Sequence, residues 1–170
     1  MASLIEVLIN TLEEENTEYE FLLKLSQEKT SVIIKGDVER LREMVAMEQI
    51  HTDHLAVLES KREETVNDIA TVLNKDVKTL TVKEIIRLLT GQDAVQKQLS
   101  TVHDKLRRTL NDMVVVNDMN KQLIEQSLEM VEFDINYLNG LMQMPETANY
   151  SNKAYNVGNH YARSTFDTKN

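Results

Sequence analysis

The sequence predicts an all-α protein: an elongated antiparallel helical bundle or coiled coil of three long helices plus one short helix, with a flexible C-terminal tail. Three observations favour this fold class. Apolar residues recur at steps of three and four from about Asp93 to Leu141 without an intervening proline. The 170 residues include only four glycines and one proline, so helix breakers are few. Two capping boxes, beginning at Ser3 and Thr81, mark predicted helix starts.

The first helix is predicted from Ser3 to Lys35, with apolar residues at three-four spacing along one face. Glu15, Ser26 and Lys29 are polar residues within that stripe. Because a thin bundle leaves such positions partly wet, we expect water to solvate them there. The surrounding acidic residues are expected to form a solvated face: Glu13, Glu14, Glu15, Glu18 and Glu20.

Gly36 and Asp37 predict a tight turn, since glycine can close one helix in the left-handed conformation and aspartate can cap the next. So short a turn makes the two helices antiparallel neighbours. The second helix is predicted over 38–72, followed by a loop around Asn74 to Asp76. Its inner face is predicted from the apolar period: Val38, Leu41, Val45, Leu55, Arg62, Val66 and Ile69.

The capping box from Thr81 to Glu84 predicts a short amphipathic helix that ends at Gly91. Asp93 is then predicted to cap the long helix, which should run parallel to the first helix because the second runs back along it. At about 1.5 Å per residue, the long helix would extend on the order of 70 Å. Pro145 marks the point where it cannot continue.

The chain is therefore predicted to contain a helical bundle domain over 1–144 and a mobile tail over 145–170. The tail is rich in Asn, Ser, Thr and Lys and has no apolar period, so it cannot repay its ordering entropy alone. Its aromatic side chains can each bury a large ring, and we expect them to contact the apolar surface of the bundle: Tyr150, Tyr155, Tyr161 and Phe166.

Composition excludes several classes of function. There is no cysteine, which rules out disulfides and thiolate metal sites and suits a reducing cytosol. The net charge of −9 disfavours nucleic acid as a partner. The N-terminus has no basic signal region, and no apolar run approaches the ~18 residues of a membrane span, so a cytoplasmic protein is expected.

Two enzyme-like hypotheses rest on histidines of the second helix. Glu48 and His51 form one Glu-x-x-His step of the kind found in carboxylate metal bundles, but the partner step is missing. His54 could lie exposed as a phosphotransfer residue, although no lysine and glycine arrangement accompanies it. No catalytic residue and no cofactor are predicted, so we do not expect an enzyme.

The end of the long helix is the main candidate for a binding site. At 100° per residue its apolar side chains cover an arc of roughly 200°, interrupted by Asp134, whereas packing in one bundle accounts for about half of that width. Either this end is simply better buried, or the surplus is a binding face, for which methionine is well suited. The predicted partner-binding residues are Met130, Phe133, Ile135, Tyr137, Leu138, Leu141, Met142 and Met144.

Two segments resemble the FlgN-type flagellar export chaperones. Residues 36–49, beginning with Gly36 and Asp37, resemble that family's turn and second-helix entry. Residues 117–128 resemble its Asn-x-x-Asn-x-x-Leu segment through Asn117, Asn120 and Leu123, followed by an apolar stretch. The resemblance covers most of residues 1–144.

This resemblance implies a cytoplasmic chaperone that holds the helical C-terminal segment of hook-associated proteins and delivers them to the flagellar type III export gate. Preventing premature assembly of that segment would be its task. A generic coiled-coil adaptor, which would form a homo-oligomer, is the alternative that the residues leave open. A metal-binding or phosphotransfer bundle is a more distant one.

Overall fold

The computed structural model describes residues 2–143, which form four α-helices and no strand. They are α1 (Ala2–Lys35), α2 (Val38–Leu73), α3 (Val82–Leu88) and α4 (Asp93–Met142). The predicted all-α fold with three long helices and one short helix is confirmed. The described residues divide into two units, unit 1 up to Glu132 and unit 2 from Phe133. The predicted tail contacts, together with Met144, lie outside the described residues.

The turn between α1 and α2 has the predicted residues in the predicted roles. Gly36 adopts φ 67°, its amide donates to Ile33 O, and the Asp37 amide donates to Val32 O at 3.2 Å. This pattern is a Schellman motif, which satisfies carbonyls at the end of α1. The Asp37 carboxylate then accepts from the Arg40 amide at 3.0 Å and so caps α2. Two residues therefore suffice to end one helix and start the next.

Two predicted caps are wrong in position. Ser3 is already inside α1, which begins at Ala2, so its hydroxyl does not cap that helix. Asp93 is the first residue of α4, whose first turn closes on the Gln92 carbonyl. There its charge complements the helix dipole without capping a backbone amide. Thr81 does cap α3, since its hydroxyl accepts from the Glu84 amide at 3.2 Å.

The main core lies in unit 1, where the N-terminal half of α1 meets the end of α2, α3 and the start of α4. Its buried members are Ile5, Leu8, Ile9, Leu12, Ile69, Ala70, Leu80, Ile85, Leu89, Leu99, Val102 and Leu106. The short helix α3 contributes Ile85 from the middle of its single apolar side. Burial of these aliphatic side chains supplies most of the driving force for folding.

The predicted inner face of α2 is wrong at its N-terminal end. Val38 and Val45 are 57% and 52% exposed, whereas Met44 is fully buried. The stripe that faces α1 continues from Met44 through Glu48 and His51 to Leu55. Because two of these positions are polar, the apolar period alone favoured other residues, such as Val45, which is one residue away from Met44.

Polar contacts fix the directions of the long helices in unit 1. Along α1, Asn16, Ser26 and Thr30 bond in turn to residues 109, 117 and 120 of α4, so these helices are parallel as predicted. Along α1 and α2 the order is reversed, since Glu15 pairs with Arg62 and Lys29 with Glu48. The predicted antiparallel hairpin is therefore confirmed.

Within the described residues, no helix is both long enough and apolar enough to cross a membrane.

Candidate functional site

The last part of α4 is exposed although it is rich in apolar residues. Residues 99, 102, 106, 109 and 120 of α4 are buried, but from Ile124 to Gln143 every residue is exposed. The alternative that this end is simply better buried is therefore wrong for the described residues. Helical propensity and backbone hydrogen bonds extend the helix to Met142 whether or not its side chains pack.

In unit 2, large apolar side chains are exposed on successive turns of α4. We call this set the C-terminal arc. Its members are Phe133, Ile135, Tyr137, Leu138, Leu141 and Met142. Their exposed fractions range from 46% at Leu141 to 82% at Met142. At 100° per residue they cover roughly 200° of the helix, and Asn136, Asn139 and Gly140 occupy the other side. The helix is thus amphipathic, and within residues 2–143 its apolar side is left exposed.

Two aromatic side chains of the C-terminal arc already contact one another. The rings of Phe133 and Tyr137 lie four residues apart, with centroids 6.5 Å apart and planes at 10°. Such i,i+4 contacts keep both rings along one ridge of the helix. Met130, the remaining described member of the predicted set, belongs to unit 1 and is 69% exposed.

The predicted family-signature residues have structural contacts in unit 1. Asn120 is buried, its Oδ1 accepts from the Thr30 hydroxyl at 2.6 Å, and its Nδ2 donates to Ser26 O at 2.7 Å. Asn117 Oδ1 accepts from the Ser26 hydroxyl at 2.9 Å. Leu123 is half-buried. The two asparagines join α4 to α1. In the sequence, the only sign of a partner for them was Ser26, a polar residue within the apolar stripe of the first helix.

Beside these contacts, a groove of about 520 Å³ opens between α1, α2 and α4 of unit 1. Its lining includes the ion pair of Lys29 and Glu48, together with Leu22, Met113 and Asn117. The paired charges neutralise each other within the groove. Lys29 is therefore half-buried and paired, not a solvated seam residue.

Glu15 contradicts the expectation of a wet seam more strongly, because it is only 4% exposed. Its Oε1 accepts from Arg62 Nε at 2.9 Å. Burial raises the pKa of the Glu15 carboxyl above its ordinary value, and the charge and hydrogen bond of Arg62 oppose that rise. The pair is a buried ion pair that sequence reasoning missed.

The histidines proposed for metal or phosphoryl chemistry bind a carboxylate of α1. Glu18 lies 2.5 Å from His51 Nδ1 and 2.9 Å from His54 Nδ1, and the ring of Phe21 stacks on His51 at 3.9 Å. The hydrogen bond from His51, aided by that from His54, lowers the pKa of Glu18 despite some desolvation. Among residues 2–143, no three His, Cys, Asp or Glu side chains form a group able to hold a metal ion.

The fold and the site together define an all-α helical bundle protein whose described residues include an exposed apolar helix face. Residues 1–156 of the chain match the family model described as FlgN protein. Since the match covers most of the chain, the chain belongs to the FlgN family, which is a family of flagellar chaperones. The resemblance found in the sequence is thereby confirmed.

A protein of Bacillus subtilis (strain 168), the uncharacterized protein YvyG, is similar to this chain. It is 24% identical over 120 residues, which make up 71% of this chain and 71% of that protein. No solved structure shows a significant match to the chain.

Proposed function

We propose that this protein is a cytoplasmic export chaperone for flagellar hook-associated proteins. It binds their helical C-terminal segment, prevents premature assembly, and delivers them to the flagellar type III secretion apparatus. The observation that carries the proposal is the C-terminal arc, an exposed apolar face on a chain of the FlgN family.

The mechanism follows from the chemistry of the two surfaces. An amphipathic helix that will later pack in the hook-filament junction exposes its apolar side before assembly and can aggregate. Laying that side along Phe133, Leu138 and Met142 removes both apolar faces from water. Methionine and leucine side chains adapt to differently shaped partners, which suits a chaperone with more than one client. No covalent bond is made or broken in this cycle, so we propose no enzymatic activity.

The test is binding of purified C-terminal peptides of the hook-associated proteins encoded in the same genome. The double substitution Phe133→Ser and Met142→Ser removes large apolar side chains from the arc, each worth on the order of 1.5 kcal/mol or more when buried. Calorimetry should therefore show binding weakened by at least about tenfold, with helix content by circular dichroism unchanged.

A matched double variant, Asn136→Ser and Asn139→Ser, changes the opposite side of the same helix and should bind as the wild type does. If the first variant unfolds, its residues belong to a packed interior and not to a binding face. If no hook-associated peptide binds the wild type, the proposed client is wrong.

The coiled-coil adaptor remains the second candidate, because the same exposed arc could pair with another copy of the chain. Sedimentation distinguishes the two. The chaperone proposal expects a heterotypic complex to form with the peptide, whereas the adaptor expects stable homo-oligomers that the peptide does not dissociate.

A further inference from the structure

One acidic residue occupies the middle of the C-terminal arc. Taking 100° per residue, Phe133 and Ile135 lie roughly 100° to either side of Asp134. Tyr137 and Leu138, at i+3 and i+4, share its side of the helix, and Leu141 lies about 20° from it two turns later. Asp134 itself is exposed. A partner that covers the arc must therefore also cover this carboxylate.

The surrounding sequence contains no cation that could compensate Asp134 from its own stretch of α4. From Gln122 to Gln143 there is no Lys, Arg or His, whereas Glu125, Glu129, Glu132 and Asp134 are acidic. Removing a carboxylate from water without a partner costs several times what one apolar contact contributes. If the partner surface were entirely apolar, the Asp134 carboxylate would be covered without a cation, and binding would be weakened by that desolvation cost.

We infer that the occupant of the arc is an amphipathic helix that carries a Lys or Arg within its apolar stripe, placed to pair with Asp134. This inference rests on the proposed function and specifies its client. A charge pair surrounded by apolar contacts fixes the register and direction of the bound helix, and it rejects helices with an acidic or purely apolar residue at that position. Asp134 is thus a specificity-determining residue, while the apolar side chains supply most of the affinity.

Charge argues against a second copy of the chain as the occupant. In a parallel two-fold pairing Asp134 would approach its own copy, and like charges in a desolvated interface repel. In an antiparallel pairing centred on the arc it would lie opposite the apolar Leu141, with no cation to compensate it. A client helix with a cation at that position meets the Asp134 carboxylate with complementary charge instead.

The experiment uses the full-length protein and the C-terminal peptides of the hook-associated proteins. Asp134→Asn keeps the shape of the side chain and removes its charge, and binding should weaken by at least about tenfold, the usual scale for losing one partner of a covered charge pair. Glu132→Gln is the matched control, because it removes one charge from a position about 200° away round the helix. Its binding should stay within about twofold of the wild type.

Charge reversal provides the second arm. Asp134→Lys should abolish binding of the wild-type peptide, and a peptide whose stripe cation is replaced by Glu should recover it in part. Wild-type affinity in Asp134→Asn, or equal binding of the Glu-containing peptide by the wild-type protein, would overturn the inference. The proposed function would survive that result if Phe133→Ser with Met142→Ser still weakened binding.

Other outcomes also decide the matter. If no peptide binds the wild type, the proposed function and this inference fall together. If the wild-type protein itself forms a homodimer that excludes the peptide, the occupant is a second copy. If deletion of residues 146–170 alone removes the effect of Asp134→Asn, the occupant is the chain's own C-terminal segment, and the inference is wrong in either case.

Discussion

Glu15 is a carboxylate inside a helix interface, and Arg62 determines whether that position stabilises the fold. Arg62 is partly exposed, with 28% of its side chain accessible, so it retains some hydration while it neutralises Glu15. A buried pair of this kind adds little net stability compared with apolar side chains. Removing one partner is different, because it leaves the other charge uncompensated.

We therefore predict that Arg62→Met lowers the free energy of unfolding by about 2 kcal/mol near neutral pH, less than for a fully buried pair since Arg62 is partly hydrated. The double variant Glu15→Met with Arg62→Met should recover most of the loss. Urea denaturation measures both. Arg40→Met, at an exposed pair with Glu43, is the control and should leave the urea denaturation midpoint close to that of the wild type.

The same variant should depend on pH in a direction that follows from Glu15. The pKa of the Glu15 carboxyl in the folded state is raised above the ordinary 4.5. The stability that this carboxyl contributes when protonated is therefore fully present below pH 4.5 and is lost as pH rises through the folded pKa. Without Arg62 the rise in pKa is larger. The loss of unfolding free energy caused by Arg62→Met should shrink as pH falls from about 7 to about 4. A loss that grows on acidification would contradict the assigned role of Glu15.

Residue by residue, local capping rules predicted several roles correctly but misplaced Ser3 and Asp93, which already lie inside their helices. Gly36, Asp37 and Thr81 have the predicted roles because capping depends on neighbours within four positions. Glu15 and Lys29 could not be placed in the same way, since their partners Arg62 and Glu48 lie far along the chain. Long-range ion pairs leave no periodic signal in one sequence.

At the scale of elements, a few polar contacts between α1 and α4 determine how the two helices align. Parallel helices with an apolar seam can slide by one turn at little cost, but a buried polar residue has partners at one register only. Asn120 bonds to both Ser26 O and the Thr30 hydroxyl, and Asn16 accepts from Thr109 at 3.0 Å. These bonds select one alignment of α4 on α1.

Asn120→Leu should therefore change stability by less than about 1 kcal/mol while relaxing the alignment. The loss is small because the Thr30 hydroxyl keeps its bond to Ser26 O at 3.3 Å, so no donor is left buried and unpaired. We expect additional oligomers by sedimentation. Asn111→Leu, at an exposed position of the same helix, is the control and should remain as the wild type.

A clean monomer of Asn120→Leu that is several kcal/mol less stable would contradict a register role and show that the bonds of Asn120 are required for folding.

The element bounds themselves were predictable from periodicity and turn residues. The face of α2 was not, because Glu48 and His51 occupy inward positions through pairs with Lys29 and Glu18.

At the scale of the whole molecule, folding and the proposed client binding use different parts of the sequence. The main core draws on residues 5–106, while the C-terminal arc begins at Phe133. The apolar period of α4 continues through both segments, so that period by itself could not distinguish a buried stripe from an exposed one. The surplus width of the arc was the only signal that distinguished them.

This separation leads to a prediction for residues 146–170. Deleting them should leave the melting temperature nearly unchanged, because the main core of the described residues ends at Leu106. We further expect the deletion to tighten peptide binding, since Tyr150, Tyr155, Tyr161 and Phe166 can compete for the C-terminal arc. The competition should be weak, because ordering such a segment costs on the order of 1 kcal/mol per residue against four aromatic anchors.

Replacing those four aromatics with serine in the full-length chain is the matched control, since it keeps the length and removes the rings. Both variants should bind the peptide more tightly than the wild type, by a few-fold, in the same calorimetric measurement. Weaker binding by both would show that the segment forms part of the client site. Tighter binding by the deletion alone would mean that chain length, and not the aromatic side chains, obstructs the arc.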